Sequence, residues 1–359
     1  MTTIRPLRRR SRLPIARLSS SFFSPLQLSP LQLWPLLLSS LLLSSGIGSA
    51  APAAAEPGQE RAAQEPRQEP PSQESPAQQA PADLPVQGTS LLGRELRSQS
   101  PTPEQAAAIE EARRALAEHP GEVERVVALG QALAAVWRYR EAIEVYDRGL
   151  AAHPDDPLLL RHRGHRYISL RDFARAEDDL ERAAARDLAA PGSLPPATRF
   201  DIWYHLGLAR TLRGDFADAA EAYLRCRETV ADGDDESLVA VARWLWESLR
   251  RAGDEQAARA VLEPIHGGMA VAENRAYLDL LRLYRGESTV EAIFDPEDAS
   301  PLDLATVGYG VASWWLSTGE EERARELLER IAGGPYWPAF GQIAAEAELD
   351  RAVRPGERR

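Results

Sequence analysis

The sequence predicts an all-α fold, an α-solenoid of stacked antiparallel helix pairs, and three observations carry that prediction. The stretch from Leu129-Gly130 to Pro154 recurs 34 residues later, with Gly130 falling on Gly164, Tyr139 on Phe173, Ala142 on Ala176 and Gly149 on Ala183. Within each copy the apolar residues recur at three- and four-residue spacing, the signature of one buried helix face. A further copy follows at Trp203, Leu206-Gly207, Phe216, Ala219 and Tyr223, displaced by nine residues. Repeats of this kind bury their apolar faces on their neighbours and grow as a solenoid.

Each element follows from local chemistry. Thr102-Pro103-Glu104-Gln105 is a helix start, with Thr102 as cap, Pro103 at the first position and Gln105 completing a capping box. It opens a helix from Pro103 to Glu118. The next pair runs from Val123 to Val136 and from Arg140 to Ala152. Gly130 and Ala142 are small because helices 8–10 Å apart leave no room for a branched side chain at closest approach. Tyr139 and Tyr146 fill the gaps beside them. Pro154 ends the second helix, because the residue before proline leaves the helical region. Weaker copies follow over residues 239–265, 274–294 and 303–331, with Gly253-Asp254 and Thr318-Gly319 at the inter-helix turns. A last helix, Gly341–Leu349, follows Trp337 and Phe340, which are expected to cover the apolar end of the final repeat.

The order Trp, Leu-Gly, Tyr, Ala, Phe and Pro at this period resembles the tetratricopeptide repeat (TPR) family. The resemblance covers residues 101–350 and implies a concave groove lined by the first helix of each pair. In that groove it places Gln131, then Arg161, His162 and His165, then Asp201, Tyr204, His205 and Thr211, then Arg243, Trp244, Glu247 and Arg250. Arg, Tyr and Trp are favoured anchors for protein partners. Some TPR proteins clamp a chaperone's C-terminal carboxylate with Lys and Asn. Here Val127, Gln131, His162 and Asp201 stand at those places, and Asp201 would repel a carboxylate, so that specificity is rejected.

Residues 1–50 read as an address. Six Arg and no Asp or Glu precede Ala50, and an apolar run, Leu31 to Leu43, ends at Gly48-Ser49-Ala50, a small-x-small cleavage site. This is a secretory signal. The alternatives are an organellar transit peptide and an uncleaved membrane anchor, although Pro35 keeps the unbroken apolar length well under about 20 residues. Residues 51–100, rich in Pro, Gln, Ala and Glu, are expected to be a disordered linker, and residues 351–359 a disordered tail. The formal net charge is −12, and the six leader Arg leave −18 on the rest. So acidic a body repels phosphate backbones, which argues against nucleic acid. The lone cysteine, Cys226, excludes an intramolecular disulfide and sits where a small packed residue is needed.

No phosphate loop, His-Glu-x-x-His or Gly-x-Ser-x-Gly motif is present. Glu177-Asp178-Asp179 and Glu320-Glu321-Glu322 are expected on helix starts or exposed faces, in helix-dipole and solubility roles. The one constellation with metal-ligand chemistry is His162, His165, Asp201 and His205, although neither histidine pair has a recognised ligand spacing. The functional expectation is therefore a non-catalytic, cofactor-free, exported scaffold that binds a protein or peptide, with the N-terminal segment as a membrane tether if it is uncleaved. The alternatives are a structural spacer or oligomerisation module of the cell envelope, and a metal-binding protein using the histidine group.

Overall fold

A computed structural model describes residues 84–354. The signal segment, most of the expected linker and the last residues of the tail lie outside them. The chain begins with a short antiparallel hairpin, β1 (Val86–Thr89) and β2 (Glu95–Arg97). It continues as α1 (Pro103–Glu118), α2 (Val123–Ala135), α3 (Tyr139–Ala152), α4 (Pro157–Ser169) and α5 (Phe173–Ala189). Next come α6 (Pro196–Arg213), α7 (Phe216–Arg227), α8 (Asp235–Arg251), α9 (Glu255–Leu262), α10 (Arg275–Tyr284) and the short α11 (Val290–Ile293). A turn, α12 (Pro301–Asp303), and a π-helical stretch over Leu304–Gly308 lead into α13 (Tyr309–Thr318), α14 (Glu321–Ala332) and α15 (Phe340–Val353).

Among the described residues these helices form six pairs, α2/α3, α4/α5, α6/α7, α8/α9, α10/α11 and α13/α14. Helix α1 stands as the second helix of an incomplete pair, and α15 as the first helix of another. The capping box at Thr102 and Gln105 forms as expected, and α1 has the expected bounds. The first helix of every pair ends the same way. A residue in the left-handed region follows it: Trp137, Arg171, Gly214, Gly253, Gly286 and Gly319. The next amide reaches back to the helix, as in Arg138 N to Leu133 O, Asp172 N to Tyr167 O, Asp254 N to Leu249 O and Glu320 N to Trp315 O. This six-to-one bond closes orphan carbonyls and turns the chain into the second helix.

Close approach within a pair explains the small residues. A Cβ on Gly207 would lie 2.7 Å from the Tyr223 ring, and one on Gly164 would lie 2.9 Å from Leu180 Cγ. Gly130 meets the Tyr146 ring in the same manner. Ala142, Ala176 and Ala219 are fully buried. The nine extra residues before the third clear pair are absorbed by the long α5 and α6 and the turn between them.

Two expectations are corrected. Residues 84–97 are not linker: Leu96 is fully buried beside Ala134, Tyr139 and Trp337, and Arg140 bonds to both the side chain and the carbonyl of Gln87. The few apolar residues here suffice because they dock on a ready-made surface. The tail is also shorter than expected, since α15 continues to Val353.

The contact of α15 with the π-helical stretch is tight enough to be tested. A Cβ on Gly341 would collide with the Ala305 carbonyl oxygen, a backbone atom that cannot swing aside. Gly341→Ala is expected to destabilise the fold by about 2–3 kcal/mol, measured as the shift in urea unfolding free energy, whereas Gly253→Asn, at an open left-handed turn, should cost under about 1 kcal/mol.

Candidate functional site

The inner face is formed by the first helices, and α15 lies across it. Its leading residue, Phe340, packs on His165 of α4 at 5.3 Å between ring centroids and on His205 of α6 at 5.8 Å. Six residues further along α15, Glu346 accepts two bonds from Arg171, from Nε at 2.9 Å and Nη2 at 2.7 Å. The same guanidinium donates to the Ser169 and Trp337 carbonyls. Both side chains are almost wholly buried, at 2% and 1% exposure. Glu348 takes Arg251 of α8 at 2.6 Å and Arg351 at 2.6 Å, and Arg351 also reaches the Leu212 carbonyl at the end of α6. These two arginines hold the Glu348 carboxyl below its ordinary range despite its burial.

The segment before α15 closes the same circuit. Trp337 meets Trp137 and Tyr139 edge-on at 5.5 and 5.3 Å, and its Nε1 donates to the Arg97 carbonyl. The expectation that Trp337 and Phe340 cover the last repeat is thus corrected. They instead pack on earlier repeats, Trp337 at the turn of the first full pair and Phe340 on the first helices of the second and third, because the curvature of the stack brings these parts together.

The residues expected to line an open groove therefore divide. Gln131 is exposed on α2, and Arg161, His165 and Asp201 keep partial exposure. His162, Tyr204, His205 and Thr211 are buried. Arg243, Trp244 and Glu247 are each 1% exposed, so the expected groove over α8 is filled by protein. Arg243 bonds Glu247 at 2.7 Å, Tyr309 Oη donates to Glu247 at 2.6 Å, and the Arg243 guanidinium lies 4.1 Å from the Trp244 ring. These groups fasten α8 to α13.

The histidine constellation is close but is not a metal centre. Rings of His165 and His205 lie 4.3 Å apart, and His162 stacks on Tyr146 at 5.7 Å. The Arg161 side chain stands among them, pairing with Asp201 and reaching His162 Nδ1 at 3.0 Å. His205 Nδ1 donates to the Asp201 carbonyl at 2.6 Å. A cation would meet a guanidinium there, and among the described residues no group of three or more His, Cys, Asp or Glu is arranged to hold a metal. Burial and then the neighbouring guanidiniums hold His162 and His165 well below the ordinary imidazole value, and His205 is lowered to about 4. All three are neutral at pH 7.

Other groups are equally occupied. The Cys226 thiol is buried, points to the Phe200 carbonyl at 3.4 Å and is pushed well up by burial, as a packed thiol should be. Glu177 and Asp179, expected on a helix start or an exposed face in dipole or solubility roles, are instead tied down by Arg210, Arg213 and Arg163 between neighbouring helices. Among the residues that make closure, Arg171 left one legible sign: a bulky side chain at the turn position where Gly253 and Gly319 stand. Glu346 and Glu348 left none, since carboxylates are common on helices.

Six helix pairs with the same left-handed turn, and small residues where the clearest pairs approach most closely, define a helical-repeat fold of the tetratricopeptide type among the described residues. No protein-family model matches it. A stretch of 146 residues is 28% identical to the heat-shock protein cognate co-chaperone sgt12 of Aspergillus fumigatus, covering 39% of this chain and 40% of that protein. The chain thus spans about two fifths of the length of the curated relative it matches. Among solved structures, MamA is similar at 17% identity over 52% of this chain and 92% of its own, with a TM-score of 0.37. YrrB, described as a TPR protein with an unusual peptide-binding site, is similar at 17% identity over 67% of this chain and 100% of its own, with a TM-score of 0.37.

The Arg171–Glu346 pair yields a test. Glu346→Ala strands a buried guanidinium and is expected to cost about 3–5 kcal/mol, whereas the double variant Arg171→Met/Glu346→Leu should cost markedly less. Urea denaturation of the two variants measures both. Equal losses would mean that the pair is not the clasp.

Proposed function

We propose that the protein is a non-catalytic, exported scaffold that binds a protein or peptide partner. The observation that carries the reading is the repeat architecture itself: first helices side by side, with Gln131 exposed and Arg161 and Asp201 partly exposed on them. Such a surface offers polar contacts from several helices without a reactive group. The thiol is buried, and the inner imidazoles are neutral and packed. The closure by α15 narrows the reading, since the partner meets only the part of the inner face near α2 and the starts of α4 and α6. The burial of Arg243, Trp244 and Glu247 gives weight to the second reading, a structural spacer or oligomerisation module.

Export rests on the leader sequence, and the acidic body fits a basic or neutral partner. Among the described residues no helix is long and apolar enough to cross a membrane, so a tether would have to come from the N-terminal segment.

Two measurements test the proposal. Cross-linking in source cells followed by purification should recover a discrete partner with the native protein, and the Gln131→Arg/Asp201→Asn variant should recover it at least about tenfold less, equivalent to about 1.4 kcal/mol. Recovery of the same partners in the same amounts would favour the spacer. Mass spectrometry of the mature protein should find an N-terminus at Ala51, and an intact Met1 terminus in the cytoplasmic fraction would contradict export.

A further inference from the structure

The contact between α15 and the inner face is built on histidines, and the one carboxylate beside them, Asp201, is already paired with Arg161. Phe340 sits on the His165 and His205 rings. Helix α4 also supplies Arg161, His162 and the buried Arg166, which lies 4.8 Å from the Tyr139 ring. Helix α6 supplies Asp201, already paired with Arg161, and Tyr204. Helix α3 supplies Tyr139 and Tyr146, both pushed up to about 12 by burial and therefore neutral. On the facing side, residues 335–345 contain no charged group at all, and the first carboxylate beyond them, Glu346, is bound by Arg171.

We infer that the seat of Phe340 on His165 and His205 makes closure of the solenoid acid-labile, so that mild acid releases the leading end of α15 and uncovers the inner faces of α4 and α6. A proton on either imidazole adds positive charge beside Arg161 and Arg166, under an apolar ring, where the only nearby carboxylate, Asp201, already serves Arg161. Once α15 lifts, the imidazoles meet water and regain their ordinary affinity for protons. The closed state depresses the imidazole values, so the open state binds more protons, and closure is fully present above about pH 6.5 and lost as pH falls below it. For His205, at about 4 when closed and about 6.5 when exposed, opening becomes roughly 30-fold easier at pH 5 than at pH 8. The inference does not depend on which partner the protein binds.

Hydrogen exchange on the full chain, corrected for the intrinsic pH dependence of amide exchange, tests it. Amides at the leading end of α15, residues 340–346, should lose at least about tenfold protection between pH 8 and pH 5, while those of α8 and α9 keep theirs and far-UV circular dichroism is unchanged. The variant His165→Gln/His205→Gln should hold α15 protection flat across that range. Phe340→Ala, which removes the seat without touching a histidine, should already be open at pH 8 and show little further change. Protection in α15 that is independent of pH in the native chain, an unaltered response in the histidine variant, or loss of α15 only together with all helices would each overturn the inference.

Discussion

The buried pair between Arg171 and Glu346 is the constraint on which the shape of this protein depends. It joins groups 175 residues apart in sequence, one at the turn of the second full helix pair and one in the last helix. An α-solenoid stabilised only by neighbour contacts would remain open at both ends. Here the guanidinium also gathers the Ser169 and Trp337 carbonyls, so one side chain fixes the turn, the closing helix and the segment leading to it. Buried pairs of this kind contribute less to net stability than to specifying one arrangement, because desolvation offsets much of their attraction. The Glu348 contacts with Arg251 and Arg351 repeat the device further along the same helix.

Closure places backbone strain at two particular turns. Four of the six inter-helix turns use glycine in the left-handed region, and two use Trp137 and Arg171. A non-glycine residue there costs on the order of 1–3 kcal/mol. Those two are the turns whose side chains touch the C-terminal segment: Trp137 meets Tyr336 and Trp337, and Arg171 meets Glu346 and Trp337. Ring packing and the buried ion pair offset the local cost. A conformational penalty in one repeat thus serves a tertiary interaction far along the chain.

Much of the fold was legible because it is set by local rules. Gly130, Gly164 and Gly207 at the close approaches, Thr102 with Gln105 at a helix start and Gly253 and Gly319 at turns each have a physical reason that short stretches of sequence reveal. The closing helix was legible as a helix but not as a clasp. Its alanines and carboxylates look like those of any solvated helix, and only the curvature of the whole stack decides what they meet. The site shows the same division. Gln131, Arg161, His165 and Asp201 keep some exposure, whereas Arg243, Trp244 and Glu247 share their repeat register and are covered by α13 and its neighbours. Register assigns a residue to the inner face, and long-range packing decides whether that face sees water.

Closure is tested most directly by the distance between Leu92, at the tip of the hairpin, and Val353, at the end of α15. Both are exposed and border the same cleft beside Arg171, so spin labels can be attached there while the buried Cys226 stays unlabelled. Pulsed electron spin resonance at pH 8 should give one short, narrow distance distribution. A long or broad distribution in the natively folded protein would show that the solenoid is open and that α15 does not clasp it.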